Sequence, residues 1–184
     1  MDRLRSPGVV SINQVARVEN YGPGRRPVKD ASEFVTDHPA LRFAIAAFDT
    51  WAEAQTALHA LNAGGNALNN VSYLGQQRVL ADAVTSDGRQ TVHLFSGPGG
   101  GIGCSAGPVA DRLAGRLASG ATTLKAALGR WLIPRHAAHL QQAVEEGKVL
   151  LWVQLFDTDD ERRAYQSLLA SSSNSVGVHD LVGI

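Results

Sequence analysis

The 184-residue chain has little cysteine and no excess of either charge: Cys104 is its one cysteine, and 17 acidic side chains balance 17 basic ones. One cysteine excludes an internal disulfide framework and is typical of a reducing compartment. A net charge of zero gives no overall field that would attract nucleic acid or anionic lipid. No apolar run approaches the roughly 18 residues of a membrane span, and Met1–Asn20 lacks the apolar segment of a signal peptide. We therefore expect a soluble cytoplasmic protein that binds no nucleic acid.

A repeat is the most informative pattern that is present. The stretch Ala44–Thr50, AIAAFDT, returns as Trp152–Thr158, WVQLFDT. Each copy is a short apolar run that ends in Phe-Asp-Thr and leads into a helix-like segment with glutamate at the same offset, Glu53 and Glu161. The separation is too long for a solenoid repeat, so we interpret the pattern as one βαβ unit used twice.

Periodicity and caps predict the elements of both units. Period-2 alternation predicts strands, and Thr50 with Glu53 three residues on is a capping-box pattern, with Thr158 as its equivalent in the second unit. Asp49 and Asp157 are expected to accept hydrogen bonds from helix amides. We predict strands at Leu41–Phe48, Val71–Leu74, Val149–Phe156 and Ser175–Leu181, helices from Thr50 to about Asn62 and over Asp159–Ala170, and a hairpin of Arg78–Val84 and Gln90–Phe95 around Ser86-Asp87-Gly88.

Two βαβ units in tandem predict an α+β fold, a ferredoxin-like βαββαβ sandwich with both helices on one face of a four-stranded antiparallel sheet. Alternation along the two central strands predicts a helix-facing side made of Phe43, Ile45, Val149, Leu151, Val153 and Leu155. The opposite side is then apolar as well, which is unusual for a free sheet face. We predict that this side is an interaction surface, covered by an insertion or a partner subunit and formed by Ala44, Ala46, Leu150, Trp152 and Phe156.

The domain organisation follows from composition. Residues 1–39, broken by Tyr21–Pro27, are expected to be a flexible N-terminal tail, and residues 40–184 a single domain. Residues 97–147 form a Gly/Ala-rich helical insertion, with helices predicted at Pro108–Ser119, at Thr122–Ile133 and from Pro134 to Gly147. These helices either pack on the protein's own sheet or a second copy, or rest on a membrane surface. The side chains expected to face a partner or membrane are Leu113, Leu117, Leu124, Leu128, Trp131 and Leu132.

These patterns resemble the bacterial general-stress or heat-induced stress protein domain family. The resemblance covers roughly Ala40–Leu181 and is carried by the strand and helix of Ile45–Leu61, by Glu146–Leu150, by the Asp-Asp-Glu at 159–161 and by Val178-His179-Asp180. It implies a ferredoxin-like fold, a glycine-zipper-like insertion, stress-associated expression and no established catalytic residue. The insertion here is less apolar and more charged than the family's, and the N-terminal tail is longer.

Several residues could in principle carry chemistry. Gly101–Ala106 matches G-x-G-x-x-A, but no acidic residue follows at the required distance, so we interpret it as a flexible linker. Cys104 would need a histidine beside it, and the candidates are His93, His136 and His139. His136 and His139 share a helix face, yet a metal site needs a third ligand. Trp152 and Phe156 alone do not make an RNA-binding signature. We assign no catalytic residue, metal or cofactor.

The sequence leaves two classes of function open. The first is a non-enzymatic, self-associating or scaffolding protein, a homo-oligomer connected with stress and in peripheral contact with a membrane. The alternative is a small-molecule or cofactor-binding enzyme with a pocket near the glycine-rich turn.

Overall fold

Short apolar strands and amphipathic helices alternate along the chain, as a computed structural model shows for residues 41–96, 100–172, 174 and 176–181. The described residues belong to one unit, His38–Ile184, and the predicted N-terminal tail lies outside them. The strands are β1 Leu41–Phe48, β2 Val71–Gln76, β3 Thr91–Phe95, β4 Ile102–Ser105, β5 Val149–Leu155 and β6 Val176–Leu181. The helices are α1 Trp51–Ala63, α2 Gln77–Asp87, α3 Pro108–Ala118, α4 Leu124–Leu128, α5 Pro134–Glu145 and α6 Thr158–Ser171, with a 3-10 turn at Leu68–Asn70.

The fold is α+β. Within the described residues the strands form one six-stranded sheet in the order β3-β4-β2-β5-β1-β6, and every pairing is antiparallel. β1 and β5, which open the two sequence repeats, are neighbours in the middle of the sheet, with Ile45 opposite Trp152. None of the described helices is long and apolar enough to cross a bilayer.

The sheet separates two apolar cores. On one face, α1, α2 and α6 pack on side chains of the three central strands, among them Ala44, Ala46, Phe48, Val149, Leu151, Val153 and Leu155. On the other face, helices of the insertion cover Phe43, Ile45, Ala47, Leu150 and Trp152. The Phe43 and Trp152 rings meet edge to face there, with centroids 6.0 Å apart. The sheet is therefore buried on both sides.

The predicted facing of β1 is wrong, whereas that of β5 over residues 149–155 is confirmed. Phe43 and Ile45 face the insertion, and Ala44 and Ala46 face α1 and α6. The register explains the reversal, because residues directly opposite each other on paired strands point to the same face, and Ile45 stands opposite Trp152. β1 is apolar on both faces, so its sequence alone gives no signal for which side faces which helix.

The two repeats begin their helices differently. Thr50 caps α1 as predicted: its hydroxyl accepts the Glu53 amide at 3.2 Å, and the Glu53 carboxylate accepts the Asp49 amide at 3.1 Å. In the second repeat the cap is Asp157, which accepts the Asp160 amide at 2.7 Å, and not Thr158. Asp157 thus acts as predicted, one residue earlier than the proposed cap.

The predicted hairpin is wrong. Residues 78–84 belong to α2, whose Leu80 and Ala83 are buried at helical spacing against the sheet. Gly88 ends this helix in the left-handed region, at φ 71°, and its amide donates to the Val84 carbonyl at 3.2 Å. The glycine read as a hairpin turn is therefore a helix C-terminal glycine.

The interpretation of Gly101–Ala106 as a flexible linker is also wrong. Ile102–Ser105 forms strand β4, which lies between β3 and β2 in the sheet. Gly103 and Cys104 are small enough to lie buried in it. Residues 97–99, Gly-Pro-Gly, lie outside the described residues.

The helical insertion forms much of the second core. α3 and α5 match the predicted helices closely, whereas α4 is shorter than predicted, since Gly129 ends it after five residues. Trp131 and Leu132, just beyond α4, are still buried. The insertion therefore packs on the protein's own sheet, which is the first of the alternatives that the sequence left open.

Leu128→Ala tests this packing. Because Leu128 is fully buried in α4, truncation should lower the free energy of unfolding by about 2–5 kcal/mol. Val84→Ala is the control, since Val84 is 41% exposed on α2, and it should lower stability by no more than about 0.5 kcal/mol. Chemical denaturation of both variants measures the difference, and equal small effects would contradict the packing of the insertion on the sheet.

Candidate functional site

A pocket of about 360 Å³ lies on the insertion side of the sheet, between α5 and the strands β1 and β6. Its wall combines apolar side chains with three imidazoles. It is lined by Ile45, Ala47, His136, His139, Leu140, Val176, Gly177, Val178 and His179. Its volume is at the lower end of the range of small-molecule sites, and its mixture of apolar surface and a few convergent polar groups is typical of them.

The three histidines come from two distant parts of the chain. His136 and His139 lie one turn apart on α5, and the structure brings both to the same pocket. His179 reaches it from β6, and its ring meets the His136 ring edge to face with centroids 5.0 Å apart. His136 and His179 are partly buried, whereas His139 is exposed.

Two small residues leave room for these rings. Ala47 on β1 occupies little of the pocket floor. A Cβ at residue 177 would lie 2.8 Å from Nε2 of His179, closer than a side chain tolerates, so Gly177 allows the His179 ring to lie back along its own strand. The position of the ring therefore depends on the absence of a side chain two residues earlier.

Burial and a neighbour of the same type set the protonation of His179. Removal from water lowers its pKa below the ordinary 6.5, and His136 lowers it further, while the Asp180 carboxylate opposes both effects. Asp180 is itself exposed, and one of its oxygens lies 3.7 Å from Nε of Arg42. The neutral imidazole, which can both donate and accept a hydrogen bond, is thus favoured at His179.

A smaller cleft of about 110 Å³ adjoins the pocket and shares Ala47 and His139 with it. Lys148 and Asn174 are on its wall. The Lys148 ammonium donates hydrogen bonds to Asp49 and, at 3.2 Å, to Asn174, and the hydrogen bond to Asp49 is the main cause of its raised pKa. These hydrogen bonds connect the residue before β5, Lys148, to the residue after β1, Asp49.

Four of the five residues predicted as an interaction surface lie inside the protein. Leu150 and Trp152 are covered by the insertion, and Ala44 and Ala46 by α1 and α6. Phe156 follows β5 and is 64% exposed. The five side chains therefore do not form one continuous face, because β1 has the opposite facing from the one expected.

The insertion residues predicted to face a membrane or partner also belong to the core. Leu113, Leu124 and Leu128 are fully buried, Trp131 and Leu132 are nearly so, and Leu117 packs partly buried against the same core. Their amphipathic pattern reflects packing on the sheet.

Cys104 is buried in β4, and burial raises the pKa of its thiol to about 12, with a smaller contribution from Asp111. A thiol held protonated in this way is a poor nucleophile. His93, the histidine nearest to Cys104 in sequence, is exposed on β3. Its Nε2 lies 3.3 Å from the Ser96 hydroxyl. Among the described residues, no group of three or more histidine, cysteine or acidic side chains is arranged to hold a metal ion.

His179 is the residue that the sequence analysis did not connect to a site. It entered only through the resemblance, as part of Val178-His179-Asp180. Alternation along β6 puts Gly177 and His179 on one face, and this was the available signal. No pattern in the sequence around His179 indicates that His136, on α5, packs against it.

Comparisons of the chain with protein-family models, with curated proteins and with solved structures find no match.

The lowered pKa of His179 predicts a loss of stability in mild acid. As pH falls below about 6.5, His179 binds a proton in the unfolded chain but remains neutral in the folded protein. The contribution of this side chain to the free energy of unfolding is therefore constant above that pH and decreases below it. His179→Gln should therefore lose less stability than the wild type between about pH 7 and about pH 5.5 in chemical denaturation.

His59→Gln is the control for this measurement, because His59 is exposed on α1 away from the pocket. This variant should follow the wild type through the same pH range. An identical decline in wild type and His179→Gln would contradict the assigned role of burial.

Proposed function

We propose that this protein binds a small organic molecule in the pocket lined by His136, His139 and His179. The observation that supports the proposal is the convergence of three imidazoles from α5 and β6 over an apolar floor of Ile45 and Ala47. Imidazole nitrogens form hydrogen bonds that fix the orientation of a ligand, and the floor offers apolar contact.

The pocket lies at the edge of the insertion, away from the place that the sequence suggested. A cavity of about 270 Å³ does adjoin the glycine-rich turn, between Phe95, Ile102 and Thr123. Its polar wall includes Gln141 and Glu145, which hydrogen-bond to each other at 2.7 Å, and Gln141 also accepts the Lys125 amide at 2.8 Å. These groups are already engaged with each other, so the histidine pocket is the stronger candidate.

We also propose that β1-α1-β2 and β5-α6-β6 are two copies of one unit, giving a ferredoxin-like core. The order β2-β5-β1-β6, the packing of α1 beside α6 in one core and the repeated Phe-Asp-Thr support this proposal. In this view β3, β4 and α2 to α5 were added between the copies, and α5 created the pocket.

Thermal unfolding of the full chain with a panel of small organic acids, amines, alcohols and nucleosides tests the binding proposal. A ligand at about ten times its Kd should stabilise the protein by about 1.4 kcal/mol and raise Tm by roughly 3–6 °C. Ala47→Leu should abolish the shift, because the larger side chain fills the floor of the pocket.

Ala52→Leu is the matched control, because Ala52 is exposed on α1 and outside the pocket. It should keep the full ligand-induced shift. A ligand that stabilises wild type and Ala47→Leu equally would place binding elsewhere and contradict the proposal.

Self-association is the second candidate, and with it a scaffolding role connected with the stress-associated expression that the resemblance implies. The observation that favours it is the pair Tyr165 and Leu169, which lie one turn apart on α6 and are 39% and 53% exposed. A membrane contact has no comparable support, since five of the six insertion residues expected to make it are buried and Leu117 is partly buried against the same core.

Light scattering coupled to size exclusion tests self-association. An oligomer formed through α6 should dissociate in Leu169→Glu, because a charge would have to be buried in the interface. Val84→Glu, at a similarly exposed apolar position on α2, should leave the oligomer intact. A wild-type protein that is monomeric at every concentration would exclude this second function.

A further inference from the structure

The described part of the histidine pocket's wall consists of apolar groups and imidazoles, without a permanently charged side chain. Its apolar part comes from the side chains of Ile45, Ala47 and Leu140, and its polar part from imidazoles, while the side chains of Val176 and Val178 pack in the core on the other face of the sheet. Among the described residues that line it there is no aspartate, glutamate, lysine or arginine. A ligand that matches this wall has an apolar body and a polar group at one end.

The charged groups around the pocket are committed to other partners. On β6, Asp180 follows His179 but is exposed beside Arg42. In the adjoining cleft, Lys148 is paired with Asp49, and Glu146 accepts a hydrogen bond from Gln142 at 2.8 Å. On α5, Arg135 is exposed and does not line the pocket. β1 contributes only Ile45 and Ala47 to the pocket wall. Within the part of the chain that the structure describes, the histidines are therefore the groups placed to balance an anion inside the pocket.

His136 and His179 are placed to supply it together. Their rings are in edge-to-face contact, so two protonated rings would repel each other, whereas an anion beside the pair would attract both. His136 also lies in the first turn of α5, which carries no acidic side chain and has no side-chain cap. The helix dipole at this end disfavours a lone imidazolium and favours an anion beside it.

We infer that the ligand of this pocket is a small amphiphilic carboxylic acid, whose carboxylate lies beside both His136 and His179 and whose binding is accompanied by the uptake of a proton. The inference rests on the proposed function, since it names the ligand class for the same pocket. The hydrocarbon part packs on Ile45, Ala47 and Leu140, and the proton converts the His179 imidazole into a cationic donor. The net charge of the pocket does not change on binding, because each carboxylate that enters is accompanied by one proton from solvent.

Isothermal titration calorimetry with hexanoate tests the inference on the full chain. Titrations in two buffers of different ionisation enthalpy should show the uptake of close to one proton for each hexanoate bound. The association constant should fall by up to about tenfold for each unit that pH rises above about 7. Hexanol, which has the same length and no charge, should bind more weakly and without this pH dependence.

His179→Gln should lower the affinity for hexanoate by about tenfold or more and remove the proton uptake, since glutamine cannot become cationic. Gly177→Ala keeps every titratable group but displaces the His179 ring, so it should weaken binding as well. His59→Gln should leave affinity and proton uptake unchanged.

Binding of hexanoate that is independent of pH, hexanol that binds as tightly, or full proton uptake in His179→Gln would each overturn the inference. Absence of hexanoate binding would overturn it too. If a neutral or basic compound nevertheless stabilises the wild type and not Ala47→Leu, the proposed function stands and only the ligand class is wrong.

Discussion

Burial of the central strands on both faces is the constraint on which the rest of this structure depends. β5 lies between β1 and β2 and is apolar at almost every position, with Leu150 and Trp152 on one side and Val149, Leu151 and Val153 on the other. An antiparallel sheet needs only one covered face when its other face is polar. Here both faces are apolar, so two layers of helix are required. The helices of the repeats, with α2, form one layer, and the insertion forms the other.

The candidate site exists because the helical layer formed by the insertion does not fully cover the sheet next to β6. α5 lies over β5 and β2 and approaches the edge strand β6 less closely, and a cavity remains between them. Ala47 and Gly177 keep that cavity open, because larger side chains at these positions would fill it or displace the His179 ring. The insertion therefore completes the core and also creates the pocket in which three imidazoles converge.

Desolvation acts on Cys104 and His179 in opposite directions and leaves both neutral. It raises the pKa of the thiol and lowers that of the imidazole, since burial always disfavours the charged form. The two groups differ in access. Cys104 is enclosed in β4, whereas His179 lines a cavity that opens to solvent, so a ligand can reach the imidazole and change its charge. Of these two groups, only the histidine can take part in binding.

Local patterns determined the type and bounds of most elements, because period-2 and helical spacing and the Thr50 cap are properties of a few consecutive residues. The same patterns misassigned α2 and β4, where glycine and short apolar runs suit more than one structure. The facing of β1 and the meeting of His136 with His179 were decided only by the tertiary structure. A strand that is apolar on both sides is oriented by the partner it pairs with, and two histidines more than forty residues apart meet only when the sheet and the insertion have packed together.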